Sequence, residues 1–317
     1  MSLKGRDILS LAELSSEEIT RILDVAAFLK SERKQGRFRQ PLVHKTLALI
    51  FQKPSTRTRV SFEVAMNDLG GGTVTLSSGE IQITRGETVE DTARTLSRYV
   101  DVIMARTNKH SDIVELAEHA TVPVINGLSD LYHPSQVLAD LQTIRERKGR
   151  LEGLNLAWVG DGNNMCNTLL IGCSKTGISI TAATPAKYRP YKTAYDTAKR
   201  ESRKTGGEVK LVEDPKEAVQ DADIVVTDTF VSMGDDAARE ERLKVFLPRY
   251  QVNSKLMSLA KPDAIFMHCL PAHRGEEVTA DVIDGEHSVV WDEAENRLHS
   301  QKAMLSLLLA EDTALQI

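Results

Sequence analysis

Cysteine is scarce in this chain, with only Cys166, Cys173 and Cys269 among 317 residues. Three thiols make no disulfide framework, and an odd number fits a reducing compartment. Long hydrophobic runs are missing as well: none approaches the ~20 apolar residues of a membrane span. The opening Met1-Ser2-Leu3-Lys4-Gly5-Arg6-Asp7 lacks both an apolar signal core and the Arg-rich, acid-free character of a transit peptide. A cytoplasmic chain is the expectation. Positive charge is not in excess, since 40 Lys and Arg stand against 45 Asp and Glu for a net charge of -5. That balance argues against a general nucleic-acid surface and makes any anion site local. Short-period repeats and low-complexity segments are also absent.

What is present is an alternation of short β-rich and helical stretches in a chain long enough for two domains of roughly 150 residues each. Ser15-Ser16-Glu17-Glu18 opens a helix on which Ile19, Ile22, Leu23, Ala26 and Leu29 recur at helical spacing. Strands are expected at 46–51, 73–76, 100–105 and 122–125, with helices at 56–69, 89–98 and 112–119, the last capped by Ser111. A helix over 136–147 ends in Arg145, Arg147 and Lys148 before Gly149, a stop signal that places the domain boundary at 149–153. Further strands are expected at 154–159, 178–182, 209–212, 223–227, 264–268 and 289–292, and a last helix at 294–310. The fold class is therefore α/β, with two domains, each an open, parallel-rich sheet flanked by helices, and a ligand cleft between them. The first domain takes residues 1–149 and the second 150–317, with the C-terminal helix, 294–317, packing back onto the first.

Polar clusters fall just past the ends of these strands: Ser55-Thr56-Arg57-Thr58-Arg59, Arg106, His133, Gly160-Asp161-Gly162-Asn163-Asn164, Asp228 and Cys269. Open α/β sheets bind ligands along that edge. At Ser55 to Arg59, hydroxyls and free amides of a helix's first turn meet a positive dipole, and Arg57 can add bidentate contacts to an anion. A capped helix with solvated arginines accounts for the same five residues. They form no Walker A loop, having neither its glycines nor its lysine. The 160–164 turn lacks the third glycine of G-x-G-x-x-G, and the strand at 178–182 runs into Ala183-Thr184-Pro185 without an acid for a ribose, which disfavours NAD. Asp228 can be a helix cap beside a glycine hinge, and Cys269 an inert core thiol. Zinc on His268, Cys269 and His273 does not match a four-ligand spacing.

Taken together, Ser55-Thr56-Arg57-Thr58, His133-Pro134-Ser135-Gln136, Asp228-Thr229-Phe230-Val231-Ser232-Met233-Gly234 and His268-Cys269-Leu270-Pro271 resemble the motifs of the aspartate/ornithine carbamoyltransferase family, in its ornithine branch. The resemblance runs from Arg6-Asp7-Ile8-Leu9 through Arg297 with no long insertion. It implies that Ser55, Thr56, Arg57 and Thr58 cradle the phosphate of carbamoyl phosphate, and that Arg106 bridges phosphate and carbonyl oxygen. By the same resemblance His133 and Arg297 reach the carbonyl oxygen, while Gln136 and the Cys269 and Leu270 carbonyls hold the carbamoyl amino group. Asn164, Asp228, Ser232 and Met233 would bind L-ornithine, with Cys269 beside its δ-amine. Cys269, Arg57, Arg106 and His133 are the expected catalytic residues. Gln82 would touch the carbamoyl phosphate of a neighbouring subunit in a homotrimer or multiple of trimers.

The implied reaction carbamoylates the ornithine δ-amine to give citrulline, within arginine metabolism. It needs no metal or organic cofactor, because carbamoyl phosphate is already activated. Other readings are a carbamoyltransferase for putrescine or acetylornithine, a catalytically silent paralogue, and a nucleotide-dependent oxidoreductase.

Overall fold

Among the described residues nine strands form, and all but two edge strands, 72–77 and 209–212, carry runs of Val, Ile, Leu and Ala mostly buried on both faces, the pattern of parallel strands covered by helices on each side. The computed structural model describes residues 2–77, 86–231 and 236–311, the side chain of Asp236 excepted. It divides into two compact units, Met1–Gln142 with Glu295–Ile317, and Thr143–Ala294.

In the first unit the strands are β1 (Thr46–Phe51), β2 (Gly72–Ser77), β3 (Val102–Arg106) and β4 (Val124–Leu128), in the order β2-β1-β3-β4 and all parallel. Helix α1 (Ser16–Lys34) precedes them, α2 (Thr56–Asp68), α3 (Val89–Leu96) and α4 (His110–His119) connect them, and α5 (Pro134–Lys148) begins in this unit and ends in the second. The second unit holds β5 (Asn155–Val159), β6 (Ser179–Ala183), β7 (Val209–Val212), β8 (Ile224–Thr227) and β9 (Ile265–His268), in the order β7-β6-β5-β8-β9 and again parallel. Its helices are α6 (Asn164–Thr176), α7 (Lys192–Thr205), α8 (Pro215–Val219), α9 (Arg239–Phe246), α10 (Ser254–Met257) and α11 (Ala280–Ile283). The final helix is α12 (Val290–Leu309). No helix among the described residues is long and apolar enough to cross a membrane. The expected α/β class with two parallel sheets is borne out.

Each sheet has one place where the strand order reverses direction. In the first, successive connections leave β1 toward β2 on one side and β3 on the other; in the second they leave β5 toward β6 and β8. Such a reversal opens a crevice at the C-terminal ends of the two diverging strands. Ser55 follows β1, Arg106 ends β3, the 160–164 turn follows β5 and Asp228 follows β8, so each unit puts its polar cluster at its own crevice.

Several local expectations are corrected. Residues 289–292 form no strand: a Phe266↔Ser288 bridge lines β9, with the Phe266 amide donating to the His287 carbonyl (2.8 Å) and the Val289 amide to the Phe266 carbonyl (3.0 Å), and the chain enters α12 at Val290. An apolar Val289-Val290-Trp291 triplet reads like a strand, but Asp292 and Glu293 supply an acidic first turn. Ser111 is not the cap of α4, which begins at His110; the His110 amide is taken by the distant Asp130 carboxylate (2.7 Å). The last turn of α5 is anchored by Arg147 to Asp292 and by Lys148 Nζ to Asp263 (2.9 Å), all within the second unit.

A bulge sets the end of β3. Ala105 pairs with Asn126 but Arg106 pairs with Leu128, so Gly127 is the extra residue. Bulges re-aim the side chains beside them, and here the one beside it is Arg106. A Cβ at position 127 would lie 2.2 Å from the buried Met104 Sδ and 3.2 Å from the Ala105 carbonyl. Gly127→Ala should therefore destabilise the fold by about 1–3 kcal/mol. Chemical denaturation checks this, and an unchanged midpoint would show that Met104 yields freely.

Candidate functional site

The first cluster starts from a helix cap. Ser55, extended at φ -160°, accepts the Thr58 amide at its hydroxyl (3.3 Å) and opens α2, whose first-turn amides face the β1 end of the crevice. Thr58 is fully buried, and its hydroxyl oxygen accepts from Arg297 Nη2 at 2.9 Å. Arg297 Nη1 donates to Gln136 Oε1 (2.6 Å), and Gln136 Nε2 donates one turn along α5 to Asp140 (2.8 Å). Sequence positions 58, 136 and 297 thus meet in one buried chain of hydrogen bonds. The helix carrying Arg297 is held to this unit by Lys30 donating to Asn296 (2.7 Å) and Lys302 to Asp68 (3.0 Å). Arg57 is half-buried, whereas Arg59 turns outward onto Glu63 (3.0 Å).

His133 lies in the loop between β4 and α5 and is almost fully buried. Burial, with the Arg297, Arg106 and Arg57 charges acting in the same direction, holds its imidazole well below the usual range. Three guanidinium charges acting on one buried imidazole make this cluster electropositive, a setting that suits an anion and offers donors to a carbonyl oxygen.

In the second unit Asp228 accepts twice. Its Oδ1 takes the Cys269 thiol (3.2 Å), from the end of neighbouring β9, and its Oδ2 takes Asn163 Nδ2 (2.8 Å), from the turn after β5. Asn163 also caps α6, accepting the Met165 and Cys166 amides at 3.0 and 3.1 Å. Asn164, singled out from the sequence, is the first residue of α6; Asn163 is the one that orients Asp228. Cys166 and Cys173 are core thiols, whereas Cys269 is partly exposed.

His268 builds the turn after β9. Its amide donates to Glu293 (2.9 Å), its Nδ1 accepts the Leu270 amide (2.8 Å), and its Nε2 faces Glu277 Oε1 (3.2 Å). Because Nδ1 accepts, Nε2 carries the proton. Leu270 sits at φ +58°, in the left-handed region that a side chain makes costly, and the His268 contact holds it there. Both imidazole nitrogens are committed, so the close group Asp228, His268 and Cys269 is poorly suited to a metal. The zinc trio weighed above is not assembled: His273 groups instead with Glu276, which Arg239 binds, and Glu277.

Arg242 was not legible in the sequence. Buried, it donates from Nε to the Phe230 carbonyl (2.6 Å), pairs with Asp161, and lies 4.6 Å over the Tyr188 ring. It ties the turn after β5 to the segment after β8. Gly162 lets that turn press on Pro190, whose nitrogen would be 2.2 Å from an added Cβ. Gln82, Ser232 and Met233 lie outside the described residues.

Two family models match the chain. The aspartate/ornithine carbamoyltransferase carbamoyl-P binding domain covers residues 6–146, and the Asp/Orn binding domain of the same family covers 152–308. Among similar proteins, ornithine carbamoyltransferase of Pyrococcus horikoshii is 56% identical over 98% of this chain and 97% of its own length. The Pyrococcus furiosus ornithine carbamoyltransferase termed anabolic is 54% identical over 98% of each. A solved structure of ornithine carbamoyltransferase from Pyrococcus furiosus superposes with a TM-score of 0.95 at 54% identity, covering 98% of both chains. With parallel sheets whose reversal points carry the polar motifs, and with both family domains matched in order, this chain belongs to the aspartate/ornithine carbamoyltransferase family.

Proposed function

We propose that this chain transfers the carbamoyl group of carbamoyl phosphate to the δ-amine of L-ornithine, giving L-citrulline and phosphate. The observation that carries the reading is the buried Thr58–Arg297–Gln136 chain of hydrogen bonds beside a capped helix start, with His133 buried next to three arginine charges that lower its affinity for a proton. Such a cluster suits a dianion that also presents a carbonyl. Ser55, Thr56, Arg57 and Thr58 take the phosphate, and Arg106 bridges it to the carbonyl oxygen. His133 and Arg297 donate to that oxygen. Gln136, with the Cys269 and Leu270 carbonyls, takes the carbamoyl amino group. Asp228 and Asn164, with Ser232 and Met233, hold the α-groups of ornithine.

In the reaction the neutral δ-amine attacks the carbonyl carbon and forms the C–N bond. The resulting oxyanion is stabilised by Thr58, Arg106, His133 and Arg297. The tetrahedral species collapses by breaking the C–O bond to phosphate, whose charge rests on Arg57 and the α2 amides, and the attacking nitrogen loses a proton. Cys269, aligned by Asp228, lies beside that nitrogen. Most of the acceleration comes from holding two polar reactants in a preorganised setting.

Putrescine lacks the carboxylate, and acetylornithine lacks the charged α-amine. Losing one charged contact exceeds the ~1.4 kcal/mol that makes a tenfold difference, so L-ornithine should exceed both by well over tenfold in kcat/KM. A citrulline colour assay with the three amines side by side is the test, and equal turnover of putrescine would sink the assignment.

We place the chain in a cytoplasmic homotrimer, or a multiple of trimers, with Gln82 reaching a neighbour's carbamoyl phosphate and the reaction running toward arginine synthesis. The relative termed anabolic supports the direction, and the low cysteine count supports the compartment. Mixing Gln82→Ala with Cys269→Ser chains, once each is shown impaired, should restore about a quarter of wild-type activity on subunit exchange. Verified exchange without recovery would remove Gln82 from the shared site. Arginine prototrophy retained on deletion would overturn the direction, and recovery of the chain only outside the cytoplasmic fraction the compartment.

A further inference from the structure

His110 has no part in the motifs above, yet it is wired to the loop that presents His133. It is the first residue of α4, half-buried, and its ring stands edge-on to Tyr132 with centroids 5.0 Å apart. Its Nδ1 lies 3.0 Å from the Ser129 hydroxyl, and its amide donates to Asp130 at 2.7 Å. Three contacts therefore run from one residue of α4 to residues 129–132, and His133 follows directly.

The neighbours of Ser129 favour an acceptor role for the imidazole. The hydroxyl oxygen accepts the Tyr132 amide (3.2 Å), while Asn126 Nδ2 gives one proton to the Leu9 carbonyl (2.9 Å) and shares the other between the Ser129 hydroxyl (3.4 Å) and the Tyr132 carbonyl (3.3 Å). The buried hydroxyl's own proton has two acceptors within reach, His110 Nδ1 at 3.0 Å and the Tyr132 carbonyl. The Tyr132 carbonyl, 3.3 Å away, already receives the Ser129 amide at 2.9 Å and Asn126 Nδ2 at 3.3 Å. Nδ1 of His110 is the nearer partner and offers a lone pair in the plane of its ring. The imidazole is then the neutral tautomer with its proton on Nε2. Burial, partly offset by the Asp130 charge, shifts His110 below its ordinary range and favours that form.

The Tyr132 peptide groups are pinned on both sides by this arrangement, the amide by the Ser129 hydroxyl and the carbonyl by the Ser129 amide and Asn126. That carbonyl belongs to the peptide plane shared with the His133 amide. Whatever orients Ser129 thus orients the backbone from which the His133 side chain departs. We infer that His110 is a positioning residue for the reaction: by accepting the Ser129 hydroxyl proton at Nδ1 it sets the peptide plane that leads into His133. The inference rests on the carbamoyl-transfer reading for its effect on catalysis, but its structural half stands on these contacts alone.

Three single variants, and the double variant His110→Leu/Ser129→Ala, test it. His110→Leu keeps bulk and removes the acceptor, Ser129→Ala removes the donor, and His110→Asn places an acceptor oxygen close to where Nδ1 was. A general loss of folded protein lowers kcat and leaves both KM values unchanged. A displaced His133 instead raises the carbamoyl-phosphate KM by about tenfold or more, with the ornithine KM within about twofold. That split is expected for His110→Leu and Ser129→Ala, with overlapping rather than multiplied losses in the double variant and recovery in His110→Asn. Carbamoyl-phosphate KM and kcat within about twofold of wild type in His110→Leu, or no advantage of Asn over Leu, would overturn the inference. Amide hydrogen exchange needs no substrate and separates this result from failure of the activity reading. Ser129 and Tyr132 amides should exchange about tenfold faster or more in His110→Leu, but not in His110→Asn. Unchanged exchange overturns the positioning role even if the wild-type chain makes citrulline, and faster exchange upholds the loop-fixing contact even if it makes none.

Discussion

Asp228→Asn should lower kcat/KM for L-ornithine by about a hundred- to a thousandfold, or about 3–4 kcal/mol, while carbamoyl-phosphate binding measured by calorimetry stays within about twofold. The carboxylate is buried at the end of β8 and accepts from two donors, Cys269 at 3.2 Å and Asn163 at 2.8 Å. An amide in its place removes the negative charge offered to the substrate's α-ammonium. It also turns an NH2 group toward a thiol or an amide that is itself donating, so one contact becomes donor against donor. Both effects act in the second unit. Unaltered ornithine kinetics in a folded variant would dismiss Asp228 as the counter-charge. Equal loss of carbamoyl-phosphate affinity would assign it to the wrong reactant.

Arg297→Met should have the complementary outcome, with kcat lower by about a hundred- to a thousandfold and carbamoyl-phosphate affinity weakened. The guanidinium donates to Thr58 at 2.9 Å and Gln136 at 2.6 Å inside a buried cluster, so methionine also leaves those two oxygens without this donor. A fold penalty of about 1–3 kcal/mol for each such group is expected beside the catalytic loss. Rates must therefore be taken per folded molecule, with unfolding followed separately. Arg297→Lys keeps the charge and loses the fork, and should recover only part of the activity. Activity of Arg297→Met within tenfold of wild type would show that the guanidinium serves the fold and not the transition state.

What the sequence made legible was the chemistry that is local in the chain. Ser15 as the cap of α1 is readable because its partner Glu18 is three residues away, and the structure has both halves of that capping box. Ser55 before α2 follows the same logic. Asn163 and Asn164 are adjacent and chemically identical, and only the position of Asp228, 65 residues on, decides which one orients it. Ser111 reads as the cap of α4 because the acceptor that is used, Asp130, comes from another loop. Residues 289–292 look apolar and strand-like in isolation. The helix that begins at Val290 instead places Glu293 where its carboxylate takes the His268 amide 25 residues away, a contact that the segment alone does not reveal. The bulge at Gly127 is a relation between two strands and leaves no mark in either one alone.

The double engagement of Asn163 also narrows what inheritance can vary. Helix caps ordinarily drift among serine, threonine, aspartate and asparagine with little penalty. Here serine or threonine would keep the bonds to the Met165 and Cys166 amides but lack the reach and the NH2 group that meets Asp228. Aspartate would set a second carboxylate against the first at hydrogen-bond distance, where two like charges cannot both remain ionised at ordinary cost. A position that looks like an interchangeable helix start is thus confined to one amino acid, by a residue that is remote in sequence and reads nothing but the far side of its amide.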